Sequence, residues 1–191
     1  MSHVARLAYT ATAASFHWMV AVPLVGTVAS VLVAQQAPKA EKGKWMHRHK
    51  SLGLLTGCIV APRFAYRLFA GSSYNVQNVV GNVGWENTAG KFTHYLLYGF
   101  MTIMPASGIA MGYYGGKGLP FFWTTLNGAA NKDDATKKAN GAIAKQSYSI
   151  HKTLGTYGKF LIPVHVGAAF LHYFRGQTIF TRINPFRVPR G

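Results

Sequence analysis

The chain has 191 residues, of which 49% are hydrophobic and 14% aromatic, and it carries 20 Lys and Arg against 4 Asp and Glu. This composition excludes the disordered and collagen-like classes, and the length is that of a single domain. A formal charge of +16 would favour nucleic-acid binding in a soluble protein, but nearly all the basic residues lie between apolar blocks or at their ends, where lipid phosphates or an acidic partner would meet them, so we expect no nucleic-acid partner.

Four apolar blocks follow one another along the chain, at about residues 12–34, 49–70, 92–114 and 149–174. Each has about the twenty residues that a helix needs to cross roughly 30 Å of hydrocarbon. Each also contains one proline: Pro23, Pro62, Pro105 and Pro163. Kinked helices are expected there, because a segment in lipid has no other way to satisfy its backbone. The sequence therefore predicts one all-α transmembrane domain over residues 1–191, an integral membrane four-helix bundle.

The segments between the spans are predicted to be loops: a basic loop at 35–50, a Gly/Asn-rich loop at 71–91 and a long polar loop at 115–146. An even number of spans places both termini on one side of the membrane, here called side one, and the second and fourth spans begin at side two. Lysines occur on both sides, so the positive-inside rule selects neither. Residues 1–15 show no pattern of a cleaved targeting peptide. The lone Cys58 is interpreted as a packing residue.

Histidines at membrane depth are the strongest functional signal in the sequence, because an ionisable side chain is costly there. Six of the eight histidines lie in or at the mouths of spans: His17, His49, His94, His151, His165 and His172. If the fourth span is one continuous helix, His151 and His165 share a face and lie about 21 Å apart along its axis.

Connectivity pairs these histidines by depth. His17 begins the first span at side one, towards which His165 lies, whereas His49 and His151 both begin spans at side two. Two imidazoles at each of two depths are what two six-coordinate haems require, so the sequence predicts two haem b groups. His47 competes with His49, but the two are about 200° apart on a helix and at most one faces the bundle.

Small residues follow these histidines at helical spacing, where they either leave room for a flat macrocycle or let helices pack closely. They are Gly53, Gly57, Gly155, Gly158, Ala168 and Ala169.

Four further residues are candidates for cofactor binding near side one. Arg63 and Arg67 either pair with haem propionates or reach lipid phosphates. His94 either lines a quinone pocket, carries a proton or forms a structural hydrogen bond. His172 either contacts a propionate, binds a quinone or lies at the interface. Lys159, eight residues beyond His151 in the fourth span, has no such account beyond snorkelling or a water-filled cavity.

Five motifs resemble the prokaryotic-type cytochrome b561 family over nearly the whole chain. They are ASFHW at 14–18, HKSLG at 49–53, PRFAYR at 62–67, HYLLYGFMTIMPASG at 94–108, and SIHKTLG with PVHVGAAFLHYF in the last span. The resemblance implies a di-haem protein with His17 and His165 on one iron and His49 and His151 on the other, exchanging electrons with a quinone pool. Two positions depart from the family pattern: Lys159, and Gln177 where an acidic residue is expected.

Three functions follow as hypotheses. The first is a quinone-linked membrane electron-transfer protein, an oxidoreductase if it acts alone, with the quinone close to His94, His172 and Arg67. The second is an accessory cytochrome subunit of a larger respiratory complex with a mainly structural role, since the basic charge suits acidic protein surfaces or anionic lipid. The third is a histidine-lined proton or metal transporter. The partners expected are membrane lipid, quinone and either complex subunits or a second copy, in a bacterial or mitochondrial inner membrane.

Overall fold

The computed structural model describes residues 11–69, 78, 79 and 81–186, and 78% of it is helical, which confirms the predicted helical membrane bundle. Most of the segment 1–15 and part of the loop at 71–91, on which predictions were made, lie outside these residues. The elements in chain order are α1 (Ala11–Gln36), α2 (Lys39–Phe69), α3 (Gly84–Tyr114), β1 (Leu119–Phe121), β2 (Thr124–Leu126), α4 (Asp134–Gly158), α5 (Leu161–Phe174) and a 3-10 helix (Phe180–Ile183).

Three of the four prolines lie inside continuous helices, but the fourth coincides with a break. The helix stops at Gly158 and resumes at Leu161. Pro163 explains the position, because a proline ring clashes with the carbonyl four residues earlier, here that of Lys159, and has no N–H to donate to it. The assumption of one continuous fourth helix is therefore wrong.

All three predicted loops are partly helical, and the Gly/Asn-rich segment predicted as a loop at 71–91 is helix from Gly84. The basic segment predicted as a loop at 35–50 is helix from Lys39, and the polar segment 115–146 contains the β1–β2 hairpin and the start of α4. Asp133 caps α4 by accepting hydrogen bonds from the backbone N–H of Thr136 at 2.7 Å and from its hydroxyl at 3.1 Å. These bonds lower the pKa of the Asp133 carboxyl. Hydropathy predicts only the part of a helix that lies in lipid, whereas the helix itself can extend into polar sequence on either side.

Packing is most extensive between α1 and α2 and between α3 and α4, and α2–α3 contacts join the two pairs. Glycines allow the close approaches. A Cβ on Gly57 would lie 3.0 Å from Cβ of Pro105, and one on Gly158 would lie 2.4 Å from the Phe100 ring. At these two positions the small residue serves helix packing.

The outer surface of the bundle is apolar. Large side chains such as Val22 (67% exposed) and Phe92 (62%) point away from the core, and a water-soluble protein rarely exposes so much apolar surface. Three helical stretches in the described part of the chain are long and apolar enough to cross a membrane: α1, α3 and the stretch 134–174. The predicted second span lies within α2, which is not one of the three and begins with a polar, basic third. The protein is therefore an integral membrane protein in contact with lipid.

Candidate haem-binding sites

His49 of α2 and His151 of α4 meet near side two, with ring centroids 6.1 Å apart. Nδ1–H of His49 donates to the Thr27 carbonyl at 2.9 Å, and Nδ1–H of His151 donates to the Met104 carbonyl at 3.0 Å. Because a carbonyl only accepts, the proton of each neutral ring is on Nδ1 and the lone pair is on Nε2. A second hydrogen bond that fixes the tautomer and the ring orientation is typical of histidines that bind metals.

Helix α3 shapes this site although it contributes neither histidine. The Ser107 hydroxyl lies 3.1 Å from Nδ1 of His151 and also donates to the Met104 carbonyl. A Cβ on Gly108 would lie only 3.2 Å from Cε1 of His151, so the missing side chain makes room for the ring. A glycine and a serine on α3 thus determine where the His151 imidazole sits.

The neighbouring His47 does not join this pair. Its Nε2–H donates to the Phe122 carbonyl at 2.7 Å, while the Ser51 hydroxyl accepts from the Phe122 N–H at 2.9 Å. Phe122 has φ of +52°, a strained conformation for a bulky residue that persists only where its surroundings fix it. His47 therefore faces the hairpin, and His49 faces His151.

Near side one, His17 of α1 and His165 of α5 have ring centroids 6.4 Å apart. A third imidazole, His94 of α3, lies 5.1 Å from His165, centroid to centroid, and its Nδ1–H donates to the Gly90 carbonyl at 2.7 Å. All three line one cavity of about 360 Å³, a volume within the range of ligand pockets. Ala168 and Ala169 also line it, so at these two positions the small residues border open space.

The other predicted residues of side one are placed as follows. Arg63 lines the cavity with its guanidinium 5.7 Å from the ring centroid of Tyr98. His172 lines it too, and its Nδ1–H donates to Oε1 of Gln177 at 2.6 Å. The side-chain amide of Gln177 in turn donates from Nε2 to Oδ1 of Asn82 at 2.9 Å. The side chain of Arg67 lies outside the described residues. Gln177, a departure from the family pattern, thus orients a histidine of the cavity.

Sequence reasoning missed several lining residues, of which Arg182 is the most informative. Its guanidinium donates to the Asn78 carbonyl at 3.1 Å, and it lines the cavity although it follows the last span. Arg175, the residue directly after α5, forms an ion pair with Glu86. No periodic pattern marks this segment, so only the fold reveals that the chain returns across α1.

The chain after α5 closes the cavity at side one. Trp18 Nε1–H donates to the Ile183 carbonyl at 2.8 Å, and Arg175 contacts Glu86 at 2.7 Å. We expect Glu86→Gln to loosen this closure slightly, since solvent screens an ion pair at the surface and leaves it a weak contact. Hydrogen exchange of residues 175–186 should become faster, whereas Glu41→Gln, at an exposed position at the start of α2, should leave it unchanged. Equal exchange in both variants would contradict the assignment.

The spacing of the two pairs fits haem. A metal–imidazole bond is about 2 Å long and the ring centroid lies roughly 1 Å further out, so two axial imidazoles on one iron have centroids roughly 6 Å apart. Both observed separations, 6.1 and 6.4 Å, are close to this value. Within residues 11–69, 78, 79 and 81–186 no three His, Cys, Asp or Glu are grouped to hold a metal ion, but a haem iron needs only two side chains.

Both histidine pairs lie between α1 and α2 on one side and α4 and α5 on the other. The backbones of α1 and α2 make few close approaches to those of α4 and α5 in the described part of the chain, and both histidine pairs meet across that gap. The residues present at each level thus fit a haem with two axial imidazoles.

Comparison with known proteins places the chain in a family. The model of the prokaryotic cytochrome b561 family matches residues 8–185. The chain is also 26% identical over 183 residues to cytochrome b561 homolog 1 of Escherichia coli (strain K12). The aligned region covers 94% of this chain and 98% of that protein. The chain therefore belongs to the prokaryotic cytochrome b561 family, whose members are membrane proteins that bind haem b and transfer electrons.

Proposed function

We propose that the chain holds two haem b groups, one between His17 and His165 and one between His49 and His151, and that it exchanges electrons with a quinone at side one. The single observation that carries the proposal is the spacing of the two imidazole pairs, at 6.4 and 6.1 Å. When bound, haem supplies one-electron chemistry, and with two imidazoles on each iron no coordination position is left for a substrate. This chemistry suits an energy-transducing membrane, either a bacterial inner membrane or a mitochondrial inner membrane.

The chain's own groups have distinct tasks in this proposal. The Thr27 and Met104 carbonyls hold His49 and His151 in the tautomer that leaves Nε2 for iron. Arg63 and Arg182 bring positive charge to the side-one cavity, where guanidinium groups match carboxylates such as propionates.

Two cavity histidines remain for the quinone. His172, whose Nδ1–H is engaged by Gln177, presents an Nε2 lone pair that accepts a hydrogen bond from a quinol hydroxyl. His94 lines the same cavity. The quinone head group is therefore assigned to the part of the cavity between these two side chains.

Spectroscopy with haem quantification tests the proposal. The purified protein should show a reduced-minus-oxidised b-type spectrum and contain two haems per chain, and a short-chain quinol should reduce them without a further protein. A colourless preparation, or one haem per chain, would contradict it. Because two imidazole pairs are present, a stoichiometry of one would mean that one pair is only structural.

A role as an accessory cytochrome subunit of a respiratory complex is the second candidate. The basic first part of α2, at side two, favours it. Residues 39–50 of α2 carry five basic residues and one acid: Lys39, Lys42, Lys44, Arg48, Lys50 and Glu41. From Lys39 to the first apolar turn at Leu52 the helix rises about 20 Å, whereas a headgroup layer is only roughly 6 Å thick. The outermost lysines therefore lie beyond the lipid phosphates, where an acidic protein would meet them.

Native sizing after mild extraction separates the two candidates. A free quinone-linked protein should migrate alone or as a small homo-oligomer. Stoichiometric co-migration with an acidic protein, lost at high salt, would favour the subunit role.

A further inference from the structure

Lys159 lies at the break in the fourth span, between the two levels of histidine pairs. It follows the last residue of α4, Gly158, and is half-buried, with Nζ 5.2 Å from the ring centroid of Phe160. It is eight residues beyond His151 and six before His165. At 1.5 Å per residue these separations are about 12 Å and 9 Å along the axis. A cation thus lies between the positions proposed for the two haems.

The segment that follows Lys159 is apolar. The stretch 134–174 is apolar enough to cross a membrane, and Lys159 lies well inside its apolar part, followed by Phe160, Leu161 and Ile162. A lysine stem reaches only about 6 Å, whereas the centre of the hydrocarbon is roughly 15 Å from either surface. A charge in such a medium acts over longer distances than it does in water.

None of the acidic side chains in the described part of the chain forms an ion pair with Lys159. The chain has 4 acidic residues in all. Among the residues that the structure describes, Glu86 forms its ion pair with Arg175 and not with Lys159. Asp133 caps α4, while Glu41 and Asp134 lie in the first turns of α2 and α4, far along the chain from the break. Each of the four acidic side chains is therefore accounted for away from Lys159 in the structure described.

We propose that the ammonium group of Lys159 raises the reduction potentials of both haems. The inference rests on the proposed di-haem function. Reduction adds one electron to each iron, so a nearby positive charge stabilises the reduced form and leaves the oxidised form less favoured. At about 10 Å and an effective dielectric constant of about 20, the interaction changes the reduced-to-oxidised ratio roughly tenfold at fixed ambient potential. The level of His165, which is nearer, should respond more strongly than that of His151.

A redox titration of Lys159→Met tests this. The b-type absorbance is measured at each potential, and all variants are compared in the same detergent. Removing the charge should lower the reduced-to-oxidised ratio of both haems roughly tenfold at a given potential, and Lys159→Arg should restore the wild-type titration. Lys159→Gln provides a second neutral variant if the first folds poorly.

Lys145→Met is the matched control. Lys145 is six residues before His151, as Lys159 is six before His165, but it is exposed on the polar part of α4, where water and salt screen it. Its replacement should leave both titrations unchanged.

Two results would overturn the inference. One is an unchanged titration of neutral Lys159 variants that retain both haems, and the other is an equal shift in the Lys145 and Lys159 variants. A wild-type protein without two haems would instead contradict the proposed function itself, which haem quantification detects before any titration.

Discussion

His17→Ala and His165→Ala should each remove the same haem and leave the other in place. Each of these imidazoles is expected to supply one of two axial bonds, and an iron that loses one is no longer held between α1 and α5. His49→Ala and His151→Ala should remove the other haem. Haem per chain should fall from two to one in all four variants, and the spectra should fall into two classes.

The third imidazole of the side-one cavity provides the control. His94 is nearer to His165 than His17 is, at 5.1 against 6.4 Å between centroids, so distance alone does not select His17. We expect His94→Ala to retain both haems and to weaken quinol oxidation. If His94→Ala lacks the side-one haem and His17→Ala keeps it, the axial ligand is His94 and not His17. Loss of both haems from any one folded variant would count against pairing by depth.

Gly108→Val should selectively weaken the haem at side two. Its Cβ would lie 3.2 Å from Cε1 and 3.5 Å from Nδ1 of His151, and the two added methyl groups would force the ring from its hydrogen bond with the Met104 carbonyl. Loss of such an orienting contact typically costs 10- to 100-fold in metal affinity, so we expect at least tenfold faster transfer of this haem to an excess of a haem scavenger.

Gly99→Val is the matched substitution on the same helix, because a Cβ there has nothing within 4 Å in the described structure. It should leave both haems in place at the wild-type rate. Equal haem loss in the two variants would mean that valine harms α3 generally and that Gly108 has no special relation to His151.

The sequence was sufficient for the helical bundle because apolar blocks of about twenty residues predict helices in lipid, although α2 as a whole is less apolar than the other three stretches. The meeting of His17 with His165, and of His49 with His151, also follows from the sequence, because chain direction fixes the depth of each residue. Their role as haem ligands remains a prediction. What hydropathy does not contain is where a helix ends, and α2 and α4 accordingly begin at Lys39 and Asp134, well outside the predicted spans.

The break in the fourth span shows a second limit. Four prolines look alike in the sequence, yet only Pro163 accompanies an interruption. Gly158, a weak helix former, lies just before the carbonyl that Pro163 leaves without its usual N–H partner, and it packs tightly on Phe100. Likewise the importance of Gly108 and Arg182 depends on neighbours distant in sequence. Such spatial relations are invisible to a reading of one segment at a time.

The hairpin between α3 and α4 also affects α2. His47 and Ser51, one helical turn apart, hold both polar groups of the Phe122 backbone, while Leu119 of the same hairpin lies closely against Gly112 of α3. A helix in fluid lipid meets little resistance to spinning about its own axis, but any such rotation of α2 would break both bonds to Phe122. The two bonds thereby fix the rotation of α2 about its axis relative to α3, so the His49 side chain stays directed towards His151.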